Sequence, residues 1–133
     1  MQTSINQYND NRNKDGYWEE YYKNGNLRYK GSFKDGKQYG YWEVYRENSI
    51  LWYKGSYKDG NKDGYWEEYH SNGSLAYKAY YKNGKRDGYW EYYHYNGTTM
   101  SNGSFKDDKP DGLWNGYNQE GNLYAIEFYA NIN

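Results

Sequence analysis

The residues able to do chemistry come in rows. Glu19, Glu43, Glu67 and Glu91 hold one site in successive copies of a Gly-Tyr-Trp-Glu-x-Tyr stretch. Inverting glycosidases use two carboxylates about 6.5–9.5 Å apart. Strands two places apart in a sheet are separated by about 9.6 Å, so spacing alone permits such a pair. Nothing marks any one Glu as the acid, however, and a row of Glu opposite Lys is what a solvated strand face carries. His70 and His94 form a second row. Zinc needs ligands converging to about 2.1 Å from one metal, and side chains from strands about 9.6 Å apart do not converge in this way. The chain has no cysteine to complete a site, so the histidines are expected at the surface. Asp59-x-Asn61-x-Asp63-Gly64 matches the first half of a calcium loop. Such a loop needs a bidentate Glu at its twelfth position, which here is His70. A turn rich in Asp, Asn and Gly explains the stretch. No catalytic residue, metal or cofactor is expected.

The rows exist because the chain repeats. Gly16, Gly40, Gly64, Gly88 and Gly112 open copies spaced by 24 residues without slippage. A fixed period of this kind is the signature of a repeat architecture. It divides the chain into a half-unit or cap, residues 1–15, and units 16–39, 40–63, 64–87, 88–111 and 112–133. The cap follows from Tyr8 to Asp15, which resemble Tyr57 to Asp63 with one extra residue.

Each unit reads as two strands and two turns. Gly16 to Tyr22 and its equivalents are rich in Tyr and Trp, which favour strands. Asn24-Gly25, Asn72-Gly73 and Asn96-Gly97 supply hairpin chemistry. Unit two has Asn48-Ser49 there, so its turn is expected to differ. The second strand alternates. Leu27, Tyr29, Gly31 and Phe33 fall on one face, and Arg28, Lys30, Ser32 and Lys34 on the other. Asp35-Gly36, Asp59-Gly60 and Asn83-Gly84 form the second turns. In the first strand Trp18 and Tyr21 fall on opposite faces. Either a bulge separates them or both faces carry rings. The pattern predicts an all-β, elongated, single-layer antiparallel meander. Lys30, Lys54 and Lys78, with Lys34, Lys58, Lys82 and Lys106, are expected to pair across strands with the Glu row.

Composition agrees. Hydrophobic residues make up 35% of 133, against roughly 45–50% in ordinary globular domains. The 22 Tyr and 6 Trp must therefore do the work of an aliphatic core. A net charge of −1 gives no field to steer nucleic acid. The Tyr-interleaved Lys row could stack single strands, but the Glu rows cancel its charge. No apolar run approaches the roughly 18 residues of a membrane helix. Residues 1–6 do not read as a signal peptide, so a cytoplasmic location is the default expectation.

The pattern Asp-Gly-x-Trp-x-x-Tyr-x-x-Asn-Gly-x-Leu, then Tyr-x-Asn/Asp-Gly-Lys, read over residues 63–85, resembles the variant MORN repeat. The resemblance spans about residues 8–133. It implies a twisted antiparallel sheet without a catalytic motif, serving as a scaffold, a lipid-associated module or a bacterial antitoxin. Two departures stand out. Thr98 to Gly103 lack the Leu and Tyr of the pattern, and the last unit has Tyr124, Ile126 and Phe128, with Ile126 at the position of Lys30, Lys54 and Lys78.

The irregularities direct the functional reading. Trp52 stands where unit one has Arg28, which places it on the charged face as an exposed anchor. Thr99 and Ser101 replace Leu and Tyr, predicting a hollow near Trp90, Tyr77 and Met100. Trp52, Tyr53, Tyr77, Trp90, Thr99 and Ser101 are the candidate partner-binding residues. The partner is expected to be another protein, with a glycan, a lipid headgroup or a membrane surface as the alternative. Leu123 to Ala130 is apolar on both faces, so Tyr124, Ile126 and Phe128 are expected in self-association through residues 123–131.

Overall fold

The computed structural model describes residues 5–130. Residues 1–4 of the expected cap, and residue 131 of the expected pairing segment, lie outside them. The described residues form strands and turns without a helix: β1 (Gln7–Tyr8), β2 (Lys14–Tyr21), β3 (Leu27–Lys34), β4 (Lys37–Tyr45), β5 (Leu51–Lys58), β6 (Asn61–Tyr69), β7 (Leu75–Lys82), β8 (Lys85–Arg86), β9 (Gly88–Tyr93), β10 (Thr99–Lys106), β11 (Lys109–Tyr117) and β12 (Leu123–Tyr129). All pair antiparallel with their chain neighbours in one open sheet, β8 being a short side pairing on β7. This is the single-layer meander that the sequence predicts.

The turns set the register. Asp35-Gly36, Asp59-Gly60 and Asn83-Gly84 have both central residues at positive φ, from 49° to 82°. That two-residue geometry matches the right-handed twist of the flanking strands. The other turns are wider. The Tyr22 N–H donates to Asn26 O at 2.8 Å, and the Gly25 N–H to Tyr22 O at 3.0 Å. Unit two does not differ as expected. Its Arg46–Ile50 and Ser49–Arg46 bonds are the same, with Ser49 held at φ 73° where the other units have glycine near 90°.

Two irregularities recur in every unit. Each strand pair of the β2–β3 type slips by one residue, so that Arg28, and likewise Trp52, Met100 and Tyr124, faces no partner. The pairs of the β3–β4 type slip near Gly40, Gly64 and Gly112, each of which sits at positive φ. Both are β-bulges. The first changes the faces. It turns Arg28-type residues to the same side as Tyr29-type residues, and Leu27-type residues to the other. The register shift at Glu20/Tyr21 puts its extra residue, Arg28, on the facing strand, so Trp18 and Tyr21 stay on opposite faces and both faces carry rings.

The core is one stripe of rings on one face. Trp42 lies across Gly31, Trp66 across Gly55 and Trp114 across Gly103, so closely that a Cβ would meet each ring at 2.2 Å. Each indole N–H donates to a carbonyl ten residues back, Ser32, Ser56, Tyr80 or Ser104, at 3.0–3.2 Å. Ala79 stands in the glycine position of unit three. There the following strand is broken at Asp87 into β8 and β9. Rings then touch edge to face in one line: Tyr8, Trp18, Phe33, Trp42, Tyr57, Trp66, Tyr81, Trp90, Phe105 and Trp114, with centroids 4.9–6.3 Å apart. Each such contact contributes about 0.5–1.5 kcal/mol beyond area burial. The half-unit closes this line as a cap, because Gln7 O accepts the Trp18 indole N–H at 3.1 Å.

Candidate functional site

The opposite face carries the charge row. Lys30–Glu43, Lys54–Glu67 and Lys78–Glu91 are ion pairs at 3.2–3.3 Å. Tyr41 and Tyr45 both donate to Glu43, at 2.9 and 2.7 Å, and Tyr65 and Tyr69 do the same for Glu67. Burial pushes the Glu43 carboxyl up, but the hydrogen bonds from Tyr45, Tyr41 and Lys30 outweigh it and hold its pKa below the usual carboxylate range. Glu67 and Glu91 behave alike. A general acid needs the reverse shift, so these carboxylates act as anchors of strand pairing.

The wide turns are joined along the sheet. Asn24 and Asn26 donate to Glu47 O at 3.1 and 2.7 Å, and Asn72 donates to Tyr95 O at 3.1 Å. His70 and His94 take part in this ladder instead of lying at the surface as expected. Both are half-buried, and Nε2 of each bonds a carbonyl one unit on, Tyr93 O at 2.9 Å and Tyr117 O at 2.8 Å. A carbonyl only accepts, so each Nε2 carries the proton. Asp59 lies in a two-residue turn and Asp63 accepts from the Asn83 N–H, which is a repeat turn and not a calcium loop.

The ring face opens at two places. The first is a trough of about 290 Å³ between units one and two, lined by Tyr22, Arg28, Tyr29, Phe33, Gln38, Trp42, Val44, Trp52 and Tyr53. Trp52 therefore belongs to the ring face, correcting its expected place among the charges. The bulge is the cause, since it turns Trp52 to the side of Tyr53, whose ring lies 5.5 Å away. Trp52 keeps 37% of its surface exposed. The Arg46 guanidinium lies 4.8 Å from its ring and donates to Tyr69 O at 3.0 Å. Arg28 on the rim pairs with Glu20 at 3.4 Å.

The second opening is a hollow of about 220 Å³ lined by Ser101, Trp114, Asn115, Gly116, Ala125, Glu127 and Tyr129. Ser101 makes a hollow as expected, but one unit further along, away from Trp90 and Tyr77. Tyr29 stacks on Trp42 at 4.9 Å and Tyr77 on Trp90 at 5.3 Å, so each tyrosine covers the tryptophan of the next unit. Trp90 thus stays covered by Tyr77, and Ser101 uncovers Trp114. Thr99 lies on the other face and donates to Glu91 at 3.1 Å. The six candidate partner-binding residues consequently separate. Trp52 and Tyr53 share the trough, Ser101 lines the hollow, Tyr77 and Trp90 are core, and Thr99 serves the charge row.

β12 forms one end of the sheet order. Tyr124, Ile126 and Phe128 are 71%, 61% and 70% exposed.

The sequence reading missed the position that decides whether a trough is open. Lys14, Gln38, Lys62 and Arg86 are equivalent at the 24-residue period, and that alignment was the available signal. The Lys14 ammonium lies 4.6 Å from the Trp18 ring and 5.1 Å from Phe33. The Lys62 ammonium lies 4.8 Å from Trp66, 5.0 Å from Tyr81 and 5.9 Å from Tyr53. Burial lowers the Lys62 pKa and Glu68 opposes that shift.

These features define a repeat array of β-hairpins that presents two ringed faces. The MORN repeat variant model matches residues 14–35, 62–83 and 86–107, and the chain belongs to the MORN-repeat family. MORN repeats are generally protein- or membrane-lipid-interaction modules, and the family is typically non-catalytic. Among curated proteins, none matches the chain.

Proposed function

We propose that the protein is a non-catalytic module that binds another protein through the trough between units one and two. The observation behind this reading is Trp52, a half-exposed indole at the mouth of an aromatic trough. Tryptophan in such a setting is the commonest kind of interface anchor. Arg46 and the bulge hold the ring in place, so little side-chain freedom is lost on binding. Two roles fit: a scaffold that holds a client, or an antitoxin-like protein that covers one.

The test takes the partner co-purified from the native source and titrates it against wild type and Trp52→Ala. We expect affinity to fall by about 2 kcal/mol or more, with the melting temperature nearly unchanged. Equal affinity for both forms would remove the trough from the interface.

The hollow beside Ser101 favours a second reading, the capture of a glycan or lipid headgroup against Trp114. A glycan and lipid array separates the two. Ligand binding that survives Ser101→Tyr would rule out the hollow.

A further inference from the structure

Five positions are equivalent at the 24-residue period, Lys14, Gln38, Lys62, Arg86 and Pro110, and they differ in charge. In units one and three the slot holds the chain's own ammonium, Lys14 or Lys62, laid against a tryptophan and flanking rings at 4.6–6.0 Å. In unit four Arg86 fills it, with its guanidinium 4.3 Å from Phe105 and bonded to Asp108 at 3.1 Å. In the slot beside Trp42 the residue is Gln38, which, like Pro110 in the last copy, has no charge, and its side chain is shorter than lysine's. The walls are nevertheless intact. Tyr29 stacks on Trp42 at 4.9 Å, and Phe33 and Tyr57 meet Trp42 edge-on at 5.0 and 5.7 Å. The space that Lys62 fills one unit on is here the open trough of about 290 Å³.

We infer that this slot receives a lysine side chain of the protein partner, seated as the chain's own Lys14 and Lys62 are. The inference rests on the trough being the interface. Ring faces attract cations, and the attraction is strongest for a desolvated ammonium over tryptophan. The rim carries charges of both signs. Arg28 is paired with Glu20, Arg46 is turned to Trp52 and Tyr69 O, and Glu68 stands directly across the strand pair from Tyr53. Trp52 then closes over the lysine stem, which long cationic side chains lay along apolar surface.

The test uses a short Gly/Ser peptide with one central lysine, and its twin with norleucine, which has the same stem without charge. Both are titrated into the whole protein while the indole N–H signals of Trp42 and Trp52 are followed by NMR. The lysine peptide is expected to shift both signals saturably in the millimolar range, and the norleucine peptide to bind at least tenfold more weakly. Gln38→Lys, which installs the repeat's own plug, is expected to abolish both shifts. Gln38→Arg, patterned on Arg86, is the second plug should the lysine variant fold poorly, and circular dichroism checks both. Equal binding of the two peptides, no saturable shift with the lysine peptide, or unchanged binding to a folded plugged variant would each overturn the inference. The two proposals fail separately. If partner affinity depends on Trp52 while the lysine peptide does not bind, the interface stands and the lysine falls. If partner affinity ignores Trp52, the interface falls.

Discussion

Ser101→Tyr tests the account of the core most directly, because it restores what the repeat has elsewhere. Tyr29, Tyr53 and Tyr77 lie 4.9, 6.2 and 5.3 Å from Trp42, Trp66 and Trp90. Ser101 occupies the equivalent site, and the hollow of about 220 Å³ lies over Trp114. A tyrosine there gains a ring pair, about 0.5–1.5 kcal/mol. Covering roughly 60 Å² of apolar ring surface adds about 1.5 kcal/mol at 25 cal/mol per Å². Fixing the side chain costs roughly 1 kcal/mol. The net expectation is a gain of about 1–2 kcal/mol, concentrated at β10–β12. Repeat arrays can open locally, so a global melt is the wrong probe. Native-state hydrogen exchange of the Trp114 and Asn115 amides is the assay, with Ser101→Ala as the control that adds no ring. Unchanged or faster exchange in Ser101→Tyr would refute the claim that each tyrosine covers the next unit's tryptophan.

Ser49 sits at φ 73° in a turn that is otherwise built with glycine. Ser49→Gly should stabilise the protein by about 0.5–1 kcal/mol in urea titration, because glycine takes that conformation without a steric cost. Burial raises the Tyr41 and Tyr57 hydroxyls to about 12, with Glu43 adding to the shift at Tyr41. A pKa raised on folding contributes stability that is full below the unfolded value near 10 and is lost as pH climbs to the folded value. Tyrosinate absorbance should therefore lag below pH 11 and then rise together with unfolding; full ionisation near pH 10 in a still-folded protein would contradict this. We propose that β12 pairs with β12 of a second copy: its outer backbone edge has no neighbour among the described residues, and Ile126 stands where other units carry Lys30, Lys54 and Lys78. Light scattering should show a dimer at high concentration that Ile126→Lys abolishes, and a monomeric mass for the unaltered chain would count against it.

The meander was legible because it depends on local chemistry. Asp-Gly and Asn-Gly turns, ring-rich strands and a fixed period each specify hairpins without reference to anything distant. The faces were less legible, for a physical reason. Side-chain direction has period two, so one inserted residue reverses every assignment beyond it. The bulge opposite Arg28 is such an insertion, and nothing in Leu27-Arg28-Tyr29 announces it. A period-two count accordingly puts Trp52 among the charges, whereas it lies among the rings. The hollow was misplaced for a related reason: stacking runs between units, so the loss of a ring at position 101 is felt at Trp114, 13 residues later.

The same logic separates structure from function in this chain. Where a position repeats with its contacts, as Glu43 with Lys30 or His70 with Tyr93 O, the contact itself accounts for the residue. The trough between units one and two breaks the pattern at two positions on one face at once. Gln38 stands for Lys62, and Val44 stands for Glu68, the acid whose charge acts on Lys62. A lone loss of Lys62's equivalent would leave an acid facing a ringed void without its cation. Losing both removes the cation and the acid of the Lys62 slot together, while the ring walls keep their affinity for a cation. Trp52, supplied at the bulge of unit two, adds the one half-exposed indole at its mouth. Three departures, Gln38, Val44 and Trp52, converge on the lining of one trough and leave it open.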